Sequence, residues 1–354
     1  MVRAHVLSAH DFRQYREMYA VGQSPSPLPY GVDVLETNGW LLTSEPQSSH
    51  PAMAKTRDVV EHRLGVTVER PLRSVASVAS SDLVLALLER EAYLPGLLKR
   101  WHVPPFASTP LVIWSCWLAD DLKRADRDHR DWLLKRISSA DLIAHLSRHE
   151  TEIFTDAGIP EDRLFAMTYG VSHRYYTPVA GERDIRILAV GQDRGRDYAT
   201  LIEAVRGTDL VLDLVCKPEN LQGLDLPGNV HAHGTVSLPE YRALLRRARI
   251  VAVPTIEMAY PTGSSVALEA ASSGSAVAVT GTRAMRDYFS DRVNALLIEP
   301  GDVGGWREGL HELEENADLR GSLGTRGRSN VVDRHNADHM WTELAAVICN
   351  RGLT

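Results

Sequence analysis

The stretch YPTGSSVALEAASSGSAVAVT, residues 260–280, is built almost wholly from small and aliphatic residues, yet it carries one charge, Glu269. The run RIVAVP, residues 249–254, reads as a strand, and Ser264 or Ser265 as the cap of the helix after it. Gly263, Ser264 and Ser265 then present backbone N–H groups at a helix N-terminus, a natural seat for a phosphate. Glu269 falls four or five residues into that helix and shares a face with Ser265, one turn back. A carboxylate so placed can accept hydrogen bonds from paired hydroxyls, such as those of a ribose, while the helix N-terminus holds the attached phosphates. The competing reading is a helix-forming glutamate on a solvated face.

A second group of chemical residues lies in VGQDRGRDYATL, residues 190–201, where a strand ends and a helix begins. Arg194 and Arg196 stand just ahead of that helix, and a planar guanidinium suits bidentate capture of phosphate oxygens. Mutual pairing of Asp193, Arg194, Arg196 and Asp197 in a solvated loop is the alternative. Lys217, at the end of LVLDLVCK, is a candidate by position alone. His231 and His233 alternate along a predicted strand and share a face, but no third ligand accompanies them, so no metal site is expected. Asp126 and Asp128 sit in a charge run that reads as an exposed loop or helix face. Trp101, Trp114 and Trp117 are read as core packing, with stacking on a sugar or lipid as the alternative.

The elements that position these residues follow from hydrophobic patterning. Short aliphatic runs alternate with helix-period segments, which predicts parallel sheets covered by helices. Strands are expected at RAHVLS, DLVLALLE, PLVIWS, DLIAHLS and RLFAMT in the first half, and at IRILAVG, LVLDLVC, RIVAVP, SAVAVT and ALLIEP in the second. Helices are expected over GVDVLETNGWLL, YLPGLLKRW and HRDWLLKRI, then over YATLIEAV, LPEYRALLRRA and SVALEAAS. A break at residues 172–184 separates two doubly wound lobes facing a cleft, 1–180 and 181–330. A terminal helix within 331–354 is free to pack back on the first lobe.

With 354 residues, two lobes are the default. A composition of 44% hydrophobic and 24% charged residues is that of a globular protein. The net charge of −7 argues against a nucleic-acid partner. No apolar run reaches transmembrane length and the first thirty residues lack a signal-peptide core, so a cytoplasmic protein is expected, with peripheral membrane contact left open. Three scattered cysteines, Cys116, Cys216 and Cys349, indicate neither a disulfide framework nor a zinc site.

Five blocks in order, within residues 138–302, carry a family resemblance: SSADLIAHLSRHETEIFTDAGIPEDRLFAMTYGVSHRYYTP, ILAVGQDRGRDYATLIEAV, NVHAHGTVS, VAVPTIEMAYPTGSSVALEAASSGSAVAVTGT and NALLIEPGD. Together they resemble the GT-B fold glycosyltransferases of family 4, which use nucleotide-activated sugars. Weaker similarity extends through the first half, where Gly31 in PYGVDVLETNGWLL resembles the family's glycine loop against the donor diphosphate.

The resemblance implies α/β architecture with two Rossmann-like domains and transfer of a sugar, with retention, from a nucleoside diphosphate sugar to a hydroxyl of a glycan, lipid or small molecule. It implies no further cofactor and no metal. Glu269 matches the second Glu of the family's Glu, seven residues, Glu motif and is expected on the ribose. Arg196 matches the diphosphate clamp, with Arg194 as a second charge. Gly263, Ser264 and Ser265 match the loop that contacts donor sugar and phosphate, and Val236 the position that touches the base. The first Glu of the motif is replaced by Pro261, with Glu257 as a substitute through a shifted loop. The family's N-terminal histidine falls near Ser115, Cys116 and Trp117, so no catalytic residue is assigned. Arg283 and Arg286 replace the usual acidic residue after VAVT and face either an anion or solvent. These departures favour, as an alternative, a catalytically silent relative that binds a nucleotide sugar or glycan as a partner or sensor. A nucleotide-sugar epimerase is a third reading, for which paired acids are lacking.

Overall fold

The computed structural model describes residues 1–48 and 50–354, with the side chains of 51–53 and 56 outside the description. The chain divides into two compact units: one comprises Met1–Val21, Ser26–Met167 and Trp341–Thr354, the other Gly22–Pro25 and Thr168–Met340.

The first unit holds strands β1 (Arg3–Leu7), β2 (Leu41–Thr43), β3 (Leu83–Leu87), β4 (Leu111–Trp114), β5 (Leu142–His145) and β6 (Leu164–Ala166). Its helices are α1 (Phe12–Ala20), α2 (Val34–Thr37), α3 (Pro51–Leu64), α4 (Glu69–Arg73), α5 (Val75–Ala79), α6 (Glu89–Arg100), α7 (Leu118–Arg124), α8 (Arg127–Ile137) and α9 (Arg148–Asp156). The sheet order is β2-β1-β3-β4-β5-β6, with every pair parallel. Parallel strands covered on both faces are apolar along their whole length, and β3 and β4 are buried at every residue.

The stretch GVDVLETNGWLL departs from its expected helix. Only Val34–Thr37 is helical, and Leu41–Thr43 instead extends the sheet beside β1. The chain reverses at Asn38 and Gly39, the latter at φ 83°, a left-handed conformation that glycine enters freely. The new strand then exchanges ladder hydrogen bonds with β1, which outweighs a helical pattern of barely three turns.

Helices α6 and α8 approach so closely that a Cβ on Gly96 would lie 1.7 Å from the carbonyl oxygen of Arg136. That oxygen belongs to backbone and cannot swing aside. Gly96→Ala is expected to destabilise this unit by about 3 kcal/mol, the cost of forcing packed backbones apart. Calorimetry on the full chain should show the corresponding transition lowered by roughly 6–12 °C, and an unmoved transition would contradict this packing.

The second unit holds β7 (Ile185–Val190), β8 (Leu212–Val215), β9 (Val230–Ala232), β10 (Ala248–Val253), β11 (Ala276–Thr280) and β12 (Leu296–Ile298), with helices α10 (Tyr198–Val205), α11 (Leu238–Arg247), α12 (Ser264–Ser272), α13 (Val303–Glu315) and α14 (Ala317–Asp333). The terminal helix α15 (Ala337–Asn350) follows, and the division between the units falls within it. The sheet order is β12-β11-β10-β7-β8-β9, again all parallel. Alternate residues of β7 serve opposite faces. Ile187 and Ala189 join a core with Tyr198, Leu201, Trp306 and Leu310 from α10 and α13, whereas Leu188 and Val190 join one with Leu245, Ala267, Leu268 and Val331 from α11, α12 and α14.

Candidate donor site in the second unit

The chain runs β7, β8, β9 towards one edge of the second sheet and then returns to place β10 on the other side of β7. Loops leaving the carboxyl ends of two such strands turn apart and open a crevice, the usual ligand site of doubly wound sheets. Here those loops are residues 191–197 and 254–263.

The two loops are zipped together. The Asp197 amide donates to the Pro254 carbonyl at 3.1 Å, the Ile256 amide to the Gly195 carbonyl at 2.9 Å, and Arg196 bridges Thr255. Thr262 Oγ1 donates to Asp193 Oδ2 at 2.9 Å and approaches the Arg194 carbonyl at 3.1 Å, while the Tyr260 hydroxyl donates to that carbonyl at 3.2 Å. Asp197 caps α10 by accepting from the Thr200 amide at 3.1 Å.

Arg196 is driven inward by this arrangement, and its side chain is 3% exposed. Its Nε donates to Asp193 Oδ1 at 2.7 Å, so the pairing considered for a solvated loop does form, but in a buried setting. Its Nη1 is buried with no hydrogen-bond partner among the described residues. Two glycines make room for the guanidinium. A Cβ on Gly191, at φ 143°, would meet it at 2.4 Å; one on Gly263, at φ 81°, would meet Val253 at 2.6 Å and Arg196 Nη1 at 3.0 Å. An orphan cationic donor in a buried site costs free energy unless something accepts from it.

The N-cap of α12 is Gly263 and not the expected Ser264 or Ser265, because the turn needs a left-handed φ that glycine enters freely, and no side chain caps that helix. Ser264 is buried and its amide turns back to the Pro261 carbonyl at 3.0 Å, whereas Ser265 is partly exposed. The first turn of an α-helix leaves amides without intrahelical acceptors. Arg196 and an uncapped helix N-terminus thus converge, and both favour an anion. Arg194 is exposed on the same loop.

Glu269 lies one turn beyond Ser265 on α12. Tyr241, from α11, donates its hydroxyl to Glu269 Oε2 at 2.5 Å, and the Tyr176 phenol also interacts with the carboxylate. Burial pushes the carboxyl up from its ordinary value to about 7, against the opposing pull of the two phenols. Accessible surface remains on Glu269 even so. The carboxylate is therefore not on the freely solvated helix face considered as the alternative.

Val236 is partly buried against the core that includes Tyr241 and Tyr176, immediately before Ser237, which caps α11 in a reciprocal box with Glu240. Pro261 is buried. Glu257 is exposed and accepts from the Arg283 amide at 3.2 Å, and Arg286 pairs with Glu299 at 2.5 Å. Lys217 is exposed beyond β8. His233 pairs with Asp213 at 2.6 Å. Among the described residues no group of three or more His, Cys, Asp or Glu is placed to hold a metal ion, and no helix is long and apolar enough to cross a membrane.

Gly31 belongs to the first unit. It is buried at φ 72° in the turn before α2, and its amide donates to the Leu28 carbonyl at 3.1 Å. At the β1–β3 switch of that sheet, Leu88 adopts a left-handed φ of 76° and Glu89 opens α6. Glu89 is buried and accepts from Ser115 Oγ at 3.3 Å and from the amides of Cys116 at 3.1 Å and Trp117 at 3.3 Å. Sequence reasoning missed Glu89, Tyr241 and Thr262, because each partner pair is more than 25 residues apart.

Residues 184–316, wholly within the second unit, match the family described as Glycosyl transferases group 1. No curated protein matches the chain by sequence. Among solved structures, Anabaena Alr3699/HepE in complex with UDP-glucose superposes with a TM-score of 0.71 at 12% identity, covering 99% of this chain and 100% of that one. Sucrose-phosphate synthase from Thermosynechococcus elongatus gives 0.71 at 13% identity, with 99% of each chain covered. The N-terminal domain of Candida albicans trehalose-6-phosphate phosphatase gives 0.65 at 13% identity, covering 98% of this chain and 96% of that one. The fold is thus that of the GT-B glycosyltransferases, α/β with two parallel six-stranded sheets.

Proposed function

We propose that the protein is a glycosyltransferase that binds a nucleoside diphosphate sugar on its second unit and transfers the sugar, with retention, to a hydroxyl acceptor. The observation that carries this reading is the buried Arg196 guanidinium, with Nη1 unpartnered among the described residues, beside the uncapped start of α12. A diphosphate supplies the acceptor oxygens that Nη1 lacks. Arg196, Arg194 and the helix amides supply positive charge from the chain itself, so the reading requires no metal at the diphosphate. Glu269 takes the ribose hydroxyls, and Val236 borders the base. The match of residues 184–316 to the transferase family and the fold shared with a UDP-glucose complex support the assignment.

A second reading, a silent nucleotide-sugar binder, is favoured by Pro261, whose ring offers a transferred sugar no hydrogen bond. Calorimetric titration with UDP, GDP, ADP and their glucose conjugates, in EDTA, tests the donor site. Micromolar binding of one nucleotide is expected, followed by donor hydrolysis or transfer when the matching sugar conjugate is supplied. A folded protein that binds none of these ligands would defeat the donor reading, whereas binding without any turnover across an acceptor screen would leave the silent reading in its place.

A further inference from the structure

Glu269 can hold two ribose hydroxyls only if its carboxylate plane is fixed, because the terminal torsion of a glutamate side chain is broad. Nothing on α12 itself does this. The neighbours of Glu269 within the helix are alanines and a leucine, and the side chains one turn away are Ser265, Val266, Ser272 and Ser273. The fixing groups come from outside α12: the Tyr176 phenol and, from another helix, Tyr241. Tyr241 sits one turn into α11, whose start is set by the reciprocal Ser237–Glu240 box, and its hydroxyl reaches Glu269 Oε2 at 2.5 Å. The ring is packed edge-on to Tyr176, with centroids 6.2 Å apart, so the phenol is itself held in place.

We propose that Tyr241 is a positioning residue of the donor site: its hydroxyl pins one oxygen of Glu269 and turns the remaining lone pairs towards both hydroxyls of a nucleotide ribose. This rests on the nucleotide-binding reading above and adds to it the residue that makes recognition depend on the ribose diol. A carboxylate offers about four acceptor directions, and the bonds from Tyr241 and Tyr176 leave the others for ligand. Burial raises the phenol's own ionisation well above its ordinary value, so Tyr241 keeps its proton and remains a donor throughout the physiological range. The hydrogen bond also lowers the Glu269 carboxyl from where burial alone would place it. Removing it therefore loosens the carboxylate and makes it harder to ionise.

The test is Tyr241→Phe, which keeps the ring and its packing and removes only the donor. Calorimetry with UDP, GDP and ADP and their 2′-deoxy counterparts, from pH 5 to pH 9, provides three readouts. The native protein is expected to bind one ribonucleotide about 10-fold or more tighter than its 2′-deoxy form, the scale of one hydrogen bond to a charged group. Tyr241→Phe is expected to weaken the ribonucleotide about 10-fold, to shrink the discrimination to about 3-fold or less, and to move the pH at which binding fades upward by roughly one unit. In a Glu269→Gln background, Tyr241→Phe should add little further loss, as it acts through the carboxylate. A folded Tyr241→Phe protein with native affinity, discrimination and pH midpoint would overturn the assignment of Tyr241 alone, and so would full additivity with Glu269→Gln. A native protein that binds none of the diphosphates defeats the underlying nucleotide reading instead.

Discussion

Arg196→Met is expected to weaken nucleoside diphosphate binding by about 100-fold or more while leaving both units folded. The guanidinium side chain is 3% exposed, and hydrogen bonds from a buried cation to phosphate oxygens are worth roughly 1.5–3 kcal/mol each. Loss of a two-pronged contact thus corresponds to about 3–6 kcal/mol, or roughly two to four orders of magnitude in Kd. Methionine matches the length of the aliphatic stem between Gly191 and Gly263 and carries no charge. Asp193 loses its ion pair but keeps the Thr262 hydroxyl, and the loops stay joined through backbone bonds that the substitution does not touch. Arg196→Lys retains the charge without the planar fork, and its affinity should fall between the two. Calorimetric Kd values, read beside thermal unfolding of each variant, decide the matter. Native affinity in a folded Met variant would place the diphosphate elsewhere.

The second large effect is a pH dependence centred on Glu269. With the carboxyl near 7 in the unliganded protein, ribose hydroxyls that donate to the anion must draw it into the ionised form. Binding should then be pH-independent above roughly 8 and weaken about 10-fold per unit below 7, approaching 100-fold by pH 5. Glu269→Gln should bind weakly at every pH and show no such slope. Stability carries the opposite sign. The folded carboxyl lies above its ordinary 4.5, so between about 4.5 and 7 the folded state holds more protons than the unfolded one. The unliganded protein therefore loses stability as pH rises through that window, and Glu269→Gln should remove this loss. Titrations from pH 5 to 9, paired with denaturant unfolding at the same values, separate the two. Identical slopes in native and Gln proteins would exclude Glu269 as the titrating group.

Much of the architecture is legible in the amino-acid sequence, and the reason is visible in particular elements. RIVAVP, SAVAVT and IRILAVG are predominantly aliphatic runs, and each is a central strand of a sheet buried on both faces. Gly263 followed by two serines marked the start of α12 to within two residues, the cap falling on the glycine and not on a serine. The misread segment, GVDVLETNGWLL, is short and mixed in pattern, so ladder pairing with β1 decided its second half rather than local preference.

At the site the division is sharper. Residue order alone determined that a glycine–serine turn precedes α12, that Glu269 shares a face with Ser265, and that two arginines stand ahead of α10, because helix and turn geometry link residues within a few positions of one another. Only tertiary structure decided which arginine is buried, since that required the β7 and β10 loops, some sixty residues apart, to close over Arg196 between two glycines. The character of Glu269 was likewise settled at long range. Its carboxyl is near 7 and held by Tyr241, 28 residues earlier, because desolvation and hydrogen bonding depend on what packs against a group and not on what adjoins it in the chain.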